Sequence, residues 1–116
     1  MDNEQMKART KAFALRILEV VKHLPPSTEG KVISYQLAKS GTSVGANYRA
    51  ACRARSKKEF IAKLGTVLEE ADETAFWLEL IMESEMLPAA KMNNLHKEAD
   101  ELCAILYSTI RSASNT

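Results

Sequence analysis

The sequence is poor in the residues that make turns and cross-links. Only 4 glycines, 3 prolines and 2 cysteines occur among its 116 residues. A sheet protein of this length needs more turn residues than these counts provide. Cys52 and Cys103 cannot build a disulfide framework, and they predict reduced thiols in a cytosolic setting. No stretch approaches the roughly 20 apolar residues of a membrane span. The start, Met1-Asp2-Asn3-Glu4-Gln5, is polar and lacks the basic-then-apolar order of a secretory signal. Together these absences predict a soluble, cytoplasmic chain with no role at a membrane.

What is present suits helices. A hydrophobic content of 46% can fill one core, and 27% charged residues can keep the surface wet. Met6, Phe13, Ile17, Val20 and Leu24 recur at helical spacing, predicting a first helix over about 4–23 that Pro25-Pro26 stops. Ser27 or Thr28 can cap a second helix with Ile33, Leu37, Val44, Tyr48 and Ala51 inward, ending near Ala54. Gly41 and Gly45 lie inside it, where small residues let a neighbouring helix come close, with a kink near Gly45 as the other expectation.

Ser56-Lys57-Lys58-Glu59 is a capping box opening a third helix to about Ser84. Its core stripe is Phe60, Leu64, Val67, Leu68, Ala71, Ala75, Leu78 and Met82. Pro88 suits the first turn of a fourth helix, with Met92, Leu95, Ala99, Leu102, Leu106 and Ile110 inward and a tail frayed from Ser112. Short connections imply antiparallel neighbours. The expectation is an all-α, up-down-up-down four-helix bundle, one domain over 1–116.

The net charge of +1 hides a separation. Residues 39–63 carry Lys39, Arg49, Arg53, Arg55, Lys57, Lys58 and Lys63 against one acid, Glu59, whereas residues 64–116 carry 3 basic and 10 acidic groups. Such a basic stretch can bind phosphates, and Arg49, Arg53, Arg55, Lys57, Lys58 and Lys63 are the candidate nucleic-acid contacts. Arg49 and Arg53 can alternatively pair with Glu69 and Glu73 of the same or a neighbouring subunit. Phe76, Trp77 and Leu80 fall off the core stripe and share an outer face with Glu69 and Glu73. This marks a candidate oligomer interface.

Catalytic and metal chemistry find little support. Neither His23 nor His96 follows a glutamate at the spacing a di-iron bundle needs, since Val20 and Asn93 stand there. His96, Asp100 and Cys103 share a helical face but offer three ligands where structural zinc takes four. No phosphate-cradling glycine loop occurs. Ser43 with a histidine has nothing to orient it, and Cys52 among the arginines reads as an inert thiol. No enzyme, cofactor or metal is expected.

Three segments carry a resemblance: Ser43-Val44-Gly45-Ala46-Asn47-Tyr48, Arg55-Ser56-Lys57-Lys58-Glu59-Phe60, and Leu68-Glu69-Glu70-Ala71-Asp72-Glu73-Thr74. The chain resembles the 23S rRNA-intervening-sequence proteins from about Phe13 to Arg111, with Ser43, Asn47, Ser56, Glu59 and Phe60 at motif positions. It departs at Gly45, where the family often has proline, and at Ala50-Ala51, where it has Glu-Gly. The resemblance implies a four-helix protomer in a ring-shaped homopentamer. It extends to the accessory variability proteins of diversity-generating retroelements, which share the bundle and bind a reverse transcriptase and nucleic acid. The expected function is a non-enzymatic, homo-oligomeric scaffold for RNA or a nucleic-acid enzyme. The alternatives are a protein-binding adaptor without nucleic acid and an enzyme with a site between subunits.

Overall fold

The computed structural model describes residues 1–115, which form four helices: α1 (Asn3–Lys22), α2 (Thr28–Cys52), α3 (Lys57–Glu83) and α4 (Ala89–Ser114). Three begin where a side chain takes up a free amide proton. Asp2 accepts from the Gln5 amide at 2.8 Å, and Gln5 accepts in return from the Asp2 amide at 2.9 Å. Ser27 accepts from Gly30 at 3.1 Å, and Ser56 from Glu59 at 3.0 Å. The Glu59 carboxylate reaches back one residue further than a capping box requires, to the Arg55 amide at 3.2 Å. Pro88 stands just before α4, which has no side-chain cap.

α3 ends with Glu85 in the left-handed region (φ 61°). The Met86 amide donates to the Ile81 carbonyl at 3.1 Å, a Schellman closure that turns the chain into α4. α4 is helical to Ser114, further than the end expected near Ser112. Arg111, in its last turn, opposes the helix dipole. Thr116 lies outside the described residues.

The helices pack in chain order, α1 on α2, α2 on α3 and α3 on α4, as an antiparallel bundle 47 Å long. α1 touches α4 lightly and lies diagonal to α3. All five expected core residues of α2 are buried. On α3 the stripe is shifted: Thr74 and Ile81 are fully buried, while Phe60, Leu68 and Met82 pack at the margin of the core. Thr74 shares a 2.9 Å hydrogen bond with buried Ser40 across the α2–α3 seam, and the Glu70 carbonyl stands 2.7 Å from its hydroxyl. Among the described residues no buried side-chain polar atom lacks a partner. None of the described helices is long and apolar enough to cross a membrane.

α2 runs unbroken through both glycines, and the reason lies on α1. A Cβ at Gly41 would stand 2.7 Å from both Cγ atoms of Ile17, and one at Gly45 would stand 3.3 Å from the Thr10 carbonyl. Gly65 on α3 has nothing within 4 Å of the same position. Gly41→Ala should therefore destabilise the bundle despite alanine's better helix propensity. Gly65→Ala should stabilise it by up to about 1 kcal/mol. Urea denaturation of both variants reads the two signs, and a stabilising Gly41→Ala would disprove the close α1–α2 approach.

Candidate nucleic-acid interface

The antiparallel topology puts the start of α1, the α2–α3 turn and the end of α4 at one pole of the rod. Residues 1–11, 49–63 and 98–115 hold 10 basic and 6 acidic side chains. The rest of the chain holds 6 basic and 9 acidic. The basic run seen in the sequence is thus joined by Lys7, Lys11 and Arg111 from other helices. Reading along the chain missed them because they lie far away in sequence.

Arg49, Arg53, Arg55, Lys57 and Lys58 are exposed, and Lys63 is half-buried. Arg49 and Arg53 make no ion pair among the described residues. The pairing with Glu69 and Glu73 of the same subunit is not formed. The Ser40–Thr74 bond sets the register of α2 on α3, placing Glu69 and Glu73 further along the rod than the two arginines. Lys39 is the cation that acts on this acidic cluster. Burial, reinforced by Glu73 and Glu69, raises the Glu70 carboxyl above its ordinary value, and Lys39 opposes the rise. Arg49 and Arg53 instead line a groove of about 380 Å³ with Glu4, Lys7, Ala8 and Lys11 of α1.

The expected oligomer face is only partly exposed. Phe76 and Leu80 are exposed at 50% and 36%, but Trp77 packs against the core. Trp77 lies one turn from buried Thr74 and one from buried Ile81, so it belongs to the edge of the core stripe. Its ring meets Phe76 edge-on at 5.1 Å, and its Nε1 donates to Glu73 at 3.3 Å. Exposed Val32 and Tyr35 of α2 extend the apolar surface. Val32 and Leu80, with Ile33 and Met86, line a groove between α2 and α3. A second exposed pair, Leu15 and Leu18, lies on α1, diagonal to α3.

Of the motif positions, Ser56, Glu59 and Phe60 open α3, as described. Ser43 and Asn47 are half-exposed one turn apart on α2, and the Ser43 hydroxyl donates to the Lys39 carbonyl at 2.6 Å. Neither histidine bonds to Ser43. His23 Nδ1 lies 2.9 Å from the Glu19 carbonyl. His96 lies between Glu79 at 2.8 Å and Asp100 at 3.5 Å. Cys103 is half-buried, and burial with Asp72 and Asp100 nearby pushes its thiol up to about 11, away from the thiolate a metal or a nucleophilic step needs. Cys52 and Cys103 are both free.

The class defined by these features is an all-α four-helix bundle with a basic pole and an apolar flank. The chain belongs to the 23S rRNA-intervening sequence protein family, which it matches over residues 3–108. It is similar to a solved structure of a protein of unknown function from the S23 ribosomal protein family of Bacteroides thetaiotaomicron. The two share 36% identity with a TM-score of 0.87, over 96% of this chain and 99% of that one. Among curated proteins none matches the chain.

One cation of the basic pole is already neutralised. Arg9 grips Glu98 with two hydrogen bonds of 2.8 and 2.7 Å and Glu101 with one of 2.6 Å, tying α1 to α4. The Arg9 bonds hold the Glu98 carboxyl below its ordinary value. The clamp therefore stabilises the fold above the ordinary carboxylate range, and the contribution is lost as pH falls through Glu98's lowered value. Arg9→Gln should cost about 1–2 kcal/mol at neutral pH, since both side chains are more than three-quarters covered. The gap from wild type should shrink in acid. Equal losses at both pH values, measured by urea denaturation, would remove the charge from the account.

Proposed function

We propose that this protein is a non-enzymatic, homo-oligomeric scaffold of the cytoplasm that binds RNA through its basic pole. The observation that carries the reading is the convergence of 10 basic side chains against 6 acidic ones at one end of a nearly neutral protein. A field of that kind attracts polyanions and repays its own repulsion only when an anion neutralises it. The family description refers to 23S rRNA-intervening sequences, and an RNA partner agrees with it.

Self-association complements this. Phe76, Leu80 and Val32 form an apolar flank on the α2–α3 side, and Leu15 and Leu18 lie at the opposite corner. Two different patches on opposite sides suit a head-to-tail contact, which closes into a ring when the rotation allows. A ring of five, as the sequence resemblance implies, would repeat the basic pole on one rim and make a weak phosphate site multivalent.

Two measurements test the reading together. Light scattering and native mass spectrometry should show a closed oligomer at micromolar concentration. Phe76→Asp/Leu80→Asp and Leu15→Asp should each dissociate it, and the two variants mixed should form dimers through their one intact interface pair. Filter binding to RNA should show affinity falling by orders of magnitude between about 50 and 200 mM salt. A wild-type monomer refutes the assembly. An oligomer with no salt-dependent binding leaves a protein-binding adaptor instead.

A further inference from the structure

We propose that the groove between α1 and α2 is the site within the basic pole that grips a single-stranded phosphodiester backbone, with Lys7, Lys11, Arg49 and Arg53 as its four phosphate contacts. This rests on the RNA-binding reading above and adds where the strand lies and which residues hold it. The groove encloses about 380 Å³, and Ala8 leaves room for a ligand on the α1 wall. Lys7 and Lys11 are one helical turn apart on one wall, and Arg49 and Arg53 are one turn apart on the other. Each wall thus presents two cations about 6 Å apart along the helix axis.

The charge balance points outward. Glu4 is the one acid lining the groove, and Lys7 holds it at 3.1 Å. Among the described residues, the side-chain nitrogens of Lys11, Arg49 and Arg53 have no ion-pair or hydrogen-bond partner. Arg49 and Arg53 lie where the dipole at the C-terminal end of α2 favours cations. That explains their height on the helix but not their direction. They face two lysines across the groove, and with Glu4 as the single acid, already held by Lys7, an excess of positive charge remains for an entering anion. The guanidinium forks can hold phosphate oxygens in pairs, and the lysines add point charges from the other side.

A groove between helices packed at the usual distance of about 8–10 Å exposes a strand to cations on both sides. A single strand can enter it with its bases turned outward. A duplex can offer such a groove only the outer edge of one strand. Duplex binding should therefore engage fewer of the four contacts.

The test is fluorescence anisotropy with a labelled single-stranded oligouridine and the full-length wild type, titrated at two salt concentrations. The variants are Lys7→Gln/Lys11→Gln, Arg49→Gln/Arg53→Gln and, as a control on the same pole outside the groove, Lys57→Gln/Lys58→Gln. Thermal melts and native mass establish that each variant is folded and assembled as wild type. A variant that fails this is replaced by its single substitutions, Lys11→Gln or Arg53→Gln. Each groove double should weaken binding about tenfold or more at the lower salt. Each should also flatten the slope of log affinity against log salt by about 1.4, the amount two lost contacts on a single strand represent. The control double should change both less.

If wild type binds but the groove doubles bind like wild type while the control double fails, the groove is wrong and the RNA-binding reading stands. If wild type shows no salt-dependent binding, both fall. Unlabelled duplex of equal length should compete less well than single strand, and equal competition overturns the single-strand assignment.

Discussion

Short connections force this chain to fold back on itself, and most of what distinguishes the protein follows from that constraint. Residues 23–27, 53–56 and 84–88 leave room for a turn and nothing more. Successive helices must then be antiparallel, so the first turns of α1, the end of α2, the start of α3 and the end of α4 share one pole. Hydrophobic burial supplies the driving force. The turns decide which charges become neighbours, and the resulting cluster depends on no single interaction that could be read along the sequence.

The core and the surface obey different rules. Inside, fit is demanding: Ile17 occupies the space where a side chain at position 41 would begin, and Ser40 and Thr74 satisfy one another across a buried seam. These contacts fix the rotation of α1, α2 and α3 about their axes, and that rotation aims Arg49 and Arg53 toward α1. The surface tolerates an arrangement that costs stability. Four cations and one acid, Glu4, line one groove, and the fold offsets the remaining repulsion with contacts elsewhere, among them the Arg9 clamp on Glu98 and Glu101. A local conflict carried by an otherwise consistent fold is where function is to be sought.

Most of the architecture was legible because helical periodicity and capping are local. The serine caps at Ser27 and Ser56, the proline stop after α1 and the inward residues of α2 all follow from a few neighbouring positions. The errors arose where an apolar side chain had two nearly equivalent faces to choose from. Trp77 packs at the edge of the α3 stripe although periodicity predicts an outward face, and Ile81 is core although periodicity favours Met82. A helical wheel places such residues to within a few tens of degrees, and the tilt of the neighbouring helix decides which way they turn.

The candidate site was half legible. Its α2 and α3 members are contiguous in the chain, so the excess of basic residues over 39–63 announced them. Lys7 and Lys11 carry no such signal, because two lysines on a helix ordinarily form a solvated face. The helices, the caps at Ser27 and Ser56, the family resemblance and the basic segment are local properties, since each depends on residues within a few turns of one another. That Arg49 and Arg53 turn from Glu69 and Glu73 of their own protomer toward α1 is settled by helix packing. That choice depends on the close α1–α2 approach at Gly41 and Gly45 and on the Ser40–Thr74 register, which join residues 24 to 35 positions apart.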